Sequence, residues 1–235
     1  MHSTPSILPL RVERLGLTRD GQALLQDVSF TIARGGIIAM IGPNGAGKSL
    51  TLRLCNGLLQ PDQGHVLWAH HAPLRHGIVF QRPVMLRRSV RGNILHALRA
   101  AHSHESEARA DLALEKFNLT AIATRPARLL SGGEQQRLAI ARAWALAPEV
   151  LFLDETTSQL DPGATRDIEN LMRALSDEGI TLILTTHDLG QARRLAQRVM
   201  FFNRGRLLED SPADLFFASP QTHQARAFLA GELLA

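Results

Sequence analysis

Gly42-Pro43-Asn44-Gly45-Ala46-Gly47-Lys48-Ser49 is the stretch that decides the fold. The apolar run Ile37-Ile38-Ala39-Met40-Ile41 precedes it, and Leu50-Thr51-Leu52-Arg53-Leu54 follows at helical spacing. Together they spell strand, glycine-rich turn and helix, with the pattern G-x-x-x-x-G-K-[ST] of a phosphate-binding loop. Its glycines let backbone N–H groups turn inward around a phosphate, and the helix beneath aims its positive dipole end at the same anion. Lys48 is placed to reach β- and γ-phosphates, and the Ser49 hydroxyl to ligate Mg²⁺. A chance glycine-rich turn would not need a buried strand before it and a helix after it.

Composition narrows the class. The 235 residues suit one large α/β domain or a core with a subdomain, and 45% hydrophobic with 20% charged residues is ordinary for a globular protein. No apolar run approaches the ~18 residues of a membrane-spanning helix. Met1-His2-Ser3-Thr4-Pro5 lacks the basic-then-apolar pattern of a signal peptide, so a cytoplasmic location is expected. The single cysteine, Cys55, precludes an internal disulfide and reads as a small buried residue within a helix. The formal charge of +4 does not specify nucleic acid, because the arginines are scattered and no aromatics interleave with them. Lysine occurs only at 48 and 116, which makes Lys48 informative: a compact ammonium fits a phosphate loop where a planar guanidinium does not.

Along the chain, residues 10–35 read as β-rich, with Leu10-Val12 and Val28–Ile32 as strands and turns at Asp20-Gly21 and Arg34–Gly36. The helix after the phosphate loop stops near Asn56-Gly57. His65–Trp68 and Gly77–Phe80 are short strands, and His70, His71 and His76 fall in the loop between them. No cysteine or carboxylate accompanies these histidines, so a solvated loop is expected rather than a metal site. From Pro83 to Ala147 the pattern turns helical. Ser89 is an N-cap before Val90, Ile94, Leu95 and Leu98. Glu107–Phe117 is amphipathic, with Ala108, Leu112 and Glu115 marking its faces, and a small-residue helix runs from Leu138 to Leu146. Strands then return at Val150–Leu153 and Thr181–Leu184 around a helix over Ala164–Leu175, a βαβ alternation that implies a parallel sheet. Val199–Phe202 and Arg206–Leu208 form a hairpin, and two short helices follow.

Asp154 closes the strand Val150–Leu153, the position from which a phosphate-loop NTPase holds its metal, and Glu155 beside it can polarise a water. At this point the chain resembles the ATP-binding-cassette (ABC) ATPases. The motifs that carry the resemblance are Gly42–Ser49, Gln81, the signature Leu130-Ser131-Gly132-Gly133-Glu134-Gln135-Gln136-Arg137, Val150–Glu155, Ser158–Asp161, and His187 after Leu184-Thr185-Thr186. All occur in the family's order across roughly residues 10–210.

The resemblance implies an α/β P-loop NTPase fold: a RecA-like parallel core (10–83 and 147–210) with an N-terminal antiparallel β-subdomain, an inserted helical subdomain (84–146) and C-terminal helices (211–235). It implies ATP and Mg²⁺ as cofactors. Nucleotide contacts come from Gly42 through Leu50 and, from a second subunit, Ser131, Gly132, Gly133 and Gln135. Metal contacts come from Ser49, Gln81 and Asp154, and the catalytic group is Glu155, His187 and Gln81. It implies a homodimer closing over two nucleotides, with Ser158 and Asp161 at its interface. Integral membrane permease subunits would dock near Gln81–Ser89, a solute-binding protein would complete the complex, and the ATPase would sit on the inner face of the membrane. Two departures stand out. No tyrosine exists anywhere, and the first β-turn offers Arg19 or Asp20 where the family stacks adenine on an aromatic ring. Thr156 also follows Glu155 where the family has proline.

The run Arg82-Pro83-Val84-Met85-Leu86-Arg87-Arg88-Ser89 suits a docking groove, although Val84 and Leu86 suit a core-facing turn equally well. This run and the segment from Pro220 to Leu233 are similar to ATPases of tungstate-type oxyanion importers; molybdate, phosphate and amino-acid uptake stay open. Competing classes are a soluble ABC ATPase acting on nucleic acid or ribosomes, and a pseudo-ATPase.

Overall fold

The computed structural model describes residues 5–70, 75–103 and 105–232. Asp20 and Gly21, both at positive φ, turn β1 (Leu10–Arg19) tightly into β2 (Gln22–Ile32). These strands are longer than the sequence alone indicates, because β1 is paired along both edges. Its other edge holds β4 (Gln63–Trp68), antiparallel, which gives a three-stranded sheet in the order β2-β1-β4 once β3 (Ile37–Ile41) has been placed elsewhere.

The larger sheet runs β5-β6-β7-β3-β8-β9, with β5 (His76–Val79), β6 (Val150–Asp154), β7 (Thr181–Thr185), β8 (Arg198–Asn203) and β9 (Arg206–Pro212). Its first five members are parallel and β9 returns antiparallel along the edge. Every residue of β3, β6 and β7 is buried, the mark of strands covered on both faces. Along β3 the side chains divide by alternation. Ile37, Ala39 and Ile41 enter one core with the helices, whereas Ile38 and Met40 enter a second core beneath the antiparallel sheet.

The helices are α1 (Lys48–Cys55), α2 (Val90–Ala100), α3 (Ser106–Lys116), α4 (Gly132–Trp144), α5 (Pro162–Asp177), α6 (Leu189–Leu195), α7 (Ala213–Ala218) and α8 (His223–Leu229). Three details differ from the sequence reading. α4 begins at Gly132, not Leu138, because Ser131 and Glu134 form a capping box that starts the helix inside the signature. α3 buries Ala110, Ala113 and Leu114 and leaves Leu112 exposed. His76 opens β5, stacked on Trp68 at 4.8 Å, rather than lying in a loop; His71 falls outside the described residues. The run Val84-Met85-Leu86 splits, with Met85 buried and Val84 70% exposed. No helix among the described residues is long and apolar enough to cross a membrane.

Candidate nucleotide-binding and hydrolytic site

The parallel strands deliver the candidate residues at their C-terminal ends: Gly42 after β3, Gln81 just beyond β5, Asp154 and Glu155 at β6, and His187 beyond β7. Gly42 sits at φ +141°, and a Cβ there would lie 2.0 Å from the Phe202 carbonyl oxygen of β8. Only glycine lets the loop leave β3 this close to its neighbour. Ala46 donates its N–H to the Pro43 carbonyl, and Gly47 at φ +101° precedes the first residue of α1. Leu50, half-buried, packs with the core beneath the antiparallel sheet, and Asn44 and Gly45 are exposed at the loop's tip.

Lys48 is buried, and its Nζ donates to the Gly42 and Pro43 carbonyls at 2.8 and 2.9 Å. Burial holds its pKa below the ordinary lysine value, opposed by the carboxylates of Glu155 and Asp154. The ammonium is thus anchored inside the loop by neutral acceptors and feels the charge of both carboxylates. Asp154, 5% exposed, accepts from Ser49 Oγ at 2.6 Å and from Thr185 Oγ1 at 2.8 Å, both on Oδ1. Arg53 Nη2 stands 3.8 Å from its other oxygen.

Glu155 takes a left-handed conformation, φ +48°, uncommon for a side chain of its size. Thr185 holds it there: the Glu155 N–H lies 3.0 Å from Thr185 Oγ1 and 3.3 Å from the Thr185 carbonyl. His187 Nδ1 lies 3.6 Å from Glu155 Oε2, with the imidazole half exposed. Gln81 donates through Nε2 to Ser158 Oγ, which in turn donates to the Glu155 carbonyl. Glu155, His187 and Gln81 are therefore linked at the C-terminal ends of neighbouring strands. Asp161 caps α5, accepting from Gly163 and Ala164.

The signature residues stand apart. Ser131 caps α4, Gln135 turns its amide back to the Leu130 carbonyl, and Gly133 packs against Ala164 of α5. Among the described residues, no hydrogen bond or ion pair joins 131–135 to 42–50. Sequence reasoning missed Thr185 as a ligand of both Asp154 and Glu155. The available signal was a hydroxyl at the C-terminal end of a strand whose middle, Leu182–Leu184, is apolar.

Residues 25–158, more than half of the chain, match the family model described as ABC transporter. The chain belongs to the ABC transporter family. As an ABC ATPase it binds ATP with Mg²⁺ and couples ATP hydrolysis to transport. It is 36% identical to "Phosphate import ATP-binding protein PstB 2" of Natronomonas pharaonis, over 92% of this chain and 84% of that protein. It is 33% identical to "Arginine transport ATP-binding protein ArtM" of Bacillus subtilis, over 94% of this chain and 98% of that one. Among solved structures it resembles cbiO1 from Clostridium perfringens, part of the ABC transporter complex cbiONQ. There the TM-score is 0.80 at 30% identity, covering 91% of both chains.

The donor set of this ABC ATPase suits its cofactors. Ser49 Oγ and Asp154 Oδ1, hydrogen-bonded at 2.6 Å, are hard oxygen donors of the kind Mg²⁺ takes. Gly45, with φ +78° and open space where a side chain would be, leaves the loop accessible to phosphate.

Proposed function

We propose that this chain is the ATP-hydrolysing subunit of an importer for an oxyanion of the tungstate or molybdate type, working as a homodimer on the cytoplasmic face of the membrane. The observation that carries the hydrolytic part is the linked set Glu155–His187 and Gln81–Ser158–Glu155 beside the buried Lys48. In this reading Gly42–Leu50 surround the phosphates of ATP, and Lys48 neutralises their charge. Ser131, Gly132, Gly133 and Gln135 of the second subunit face the γ-phosphate. Glu155 accepts hydrogen bonding from the attacking water, Gln81 orients that water, and His187 donates to the γ-phosphate. Mg²⁺, held by Ser49, Asp154 and Gln81, would neutralise charge on the β- and γ-phosphate oxygens. Residues 84–146 act as the helical subdomain that presents the signature, and 211–235 as C-terminal helices.

Permease subunits dock on the run Gln81–Ser89, and a solute-binding protein completes the assembly. Exposed Val84, together with a cavity of about 660 Å³ lined by Leu86, Arg87, Arg88, Arg128 and Leu129, supports a docking role for this face. An anionic solute is favoured by likeness to "Probable anion import ATP-binding protein" of Haloferax volcanii, 36% identical over 90% of this chain. A second reading, amino-acid import, is favoured by "L-cystine transport system ATP-binding protein TcyN" of Escherichia coli at 35% identity over 96%.

The hydrolytic reading is tested with Glu155→Gln. Loss of a general base costs ~10²–10⁴-fold in rate, so the variant should bind ATP and accumulate as a nucleotide-bound dimer. Turnover within about tenfold of wild type overturns the assignment. The solute is tested in the reconstituted complex, where tungstate-loaded binding protein should stimulate ATPase activity; stimulation by an amino acid instead selects the second reading.

A further inference from the structure

We infer that Gln191 is a positioning residue for the hydrolytic pair, holding the segment that carries Glu155 in register with the segment that carries His187. Glu155 and His187 leave separate strands, and their 3.6 Å approach is no stronger than the framework behind them. Glu155 also sits at positive φ, a conformation that persists only where surrounding groups enforce it. Thr156 next to it fixes no dihedral, as a proline ring would.

Behind the Thr185 contacts to the Glu155 N–H lies a second layer of support. Gln191, 2% exposed in α6, donates through Nε2 to Thr157 Oγ1 at 2.8 Å and to Glu169 Oε1 at 3.3 Å. Thr157 is two residues beyond Glu155, and Gln191 is four beyond His187. Asp188, adjoining His187, accepts from the Gln191 N–H and donates its own N–H to Thr186 Oγ1, so the side chain of Gln191 starts from a fixed turn. On the far side Glu169 is itself buried and held by Arg194 through Nε and Nη2 at 3.0 and 2.6 Å. Gln191 thus meets the α6 cap through its backbone N–H, and its side-chain amide bridges the loop after β6 and a braced carboxylate on α5. A group that only satisfied Glu169 would not need the shorter bond to Thr157.

The inference rests on the assignment of Glu155 and His187 to hydrolysis. Its test measures kcat and ATP affinity for Gln191→Leu, Thr157→Val, Thr157→Ser and the double variant Gln191→Leu/Thr157→Val. Misplacement of a catalytic group by an ångström costs up to ~10²-fold, so Gln191→Leu and Thr157→Val should each lower kcat by about 10- to 100-fold while ATP affinity stays within about twofold. Thr157→Ser, which keeps the hydroxyl, should retain wild-type kcat. The double variant should fall no further than the worse single one, as expected of partners in one contact. Thr157→Val carries the test should Gln191→Leu fail to fold. Wild-type kcat in Thr157→Val, or ATP affinity falling in step with kcat, overturns the inference. If Glu155→Gln itself turns over normally, the hydrolytic assignment fails first; an inactive Glu155→Gln beside an active Thr157→Val removes Gln191 alone.

Discussion

Ser49, in the first turn of α1, donates a 2.6 Å hydrogen bond to Asp154 at the end of β6. The two oxygens are brought together by α1 and a strand that is not even adjacent to β3, and Thr185 from the intervening β7 binds the same carboxylate oxygen. In the proposed reading these are the oxygens that would hold Mg²⁺, and Thr185 fixes the orientation of the carboxylate. Ser49→Ala deletes one of these oxygens and leaves the phosphate loop's backbone intact. Its ATPase should need about tenfold more Mg²⁺ for half-maximal rate, as typically follows loss of a supporting metal contact. An unchanged Mg²⁺ titration would remove Ser49 from the metal shell.

Lys48 is tied to two carbonyls and pays for burial with a lowered pKa. Lys48→Met should therefore abolish ATP binding without lowering the melting temperature of the nucleotide-free protein. Binding of a fluorescent ATP analogue, read beside a thermal melt, separates the two effects. A variant that melts early would mean that the lysine serves the fold as well as the ligand.

Gly133 has no room for a side chain: a Cβ there would lie 2.8 Å from the Cβ of Ala164 on α5. Gly133→Ala should push the start of α4 away from α5 and weaken ATP-driven dimerisation while nucleotide binding by each subunit persists. Ala164→Gly opens the space, so the double variant should recover dimerisation in analytical ultracentrifugation. Failure of that rescue would place the defect in the signature's ligand contacts.

Arg19 ends β1 with its Nη1 bonded to the Thr18 carbonyl and 3.4 Å from Asp62, a partly exposed pair. This guanidinium is committed to its own neighbours and offers an adenine ring little selectivity. ATP and GTP should bind with an affinity ratio below ~100, the ratio that would need ~2.7 kcal/mol. Arg19→Tyr should tighten both nucleotides by roughly fivefold or more, since one aromatic–base stack is worth ~1–3 kcal/mol. Competition titrations with the two nucleotides decide the matter.

Cys55 is buried at the end of α1, and burial alone pushes its thiol up to about 12 from 9.0. A raised folded pKa means that its contribution to stability is complete below pH 9.0 and is lost as pH climbs toward about 12. Stability should fall across that window, and Cys55→Ala should flatten the fall. At neutral pH a thiol reagent should label the protein only through opening of α1, and ATP with Mg²⁺ should slow the labelling.

What the sequence revealed and what it hid follow a physical division. The phosphate loop, Asp154 and the buried strands were legible because each depends on local patterns: glycine placement, an apolar run, a polar residue at its end. The parallel architecture followed from strands alternating with helices. The start of α4 was misplaced because a capping box inside Ser131–Glu134 competes with the glycines, which look like a turn when read singly. The contacts of Thr185 with Asp154, of Gln191 with Thr157 and of Glu169 with Arg194 were invisible because they join residues more than twenty positions apart, and buried polar contacts of that kind leave no periodicity. The split of Val84 from Met85 was equally hidden, since two adjacent apolar residues cannot declare which faces solvent.

Strand order also sets a timetable for synthesis. β3, which carries the phosphate loop, pairs on one side with β7 and on the other with β8, so that Ile37 faces Leu182 and Ile38 faces Arg198. Both neighbours leave the ribosome long after β3 does, a wait on the order of ten seconds at ~5–20 residues per second. Throughout that interval Ile37–Ile41 is a fully apolar strand with two open edges, the kind of segment that chaperones intercept and that nascent chains aggregate through. Slowing translation before β7 should therefore lower the soluble yield of this protein more than the same delay placed after β8.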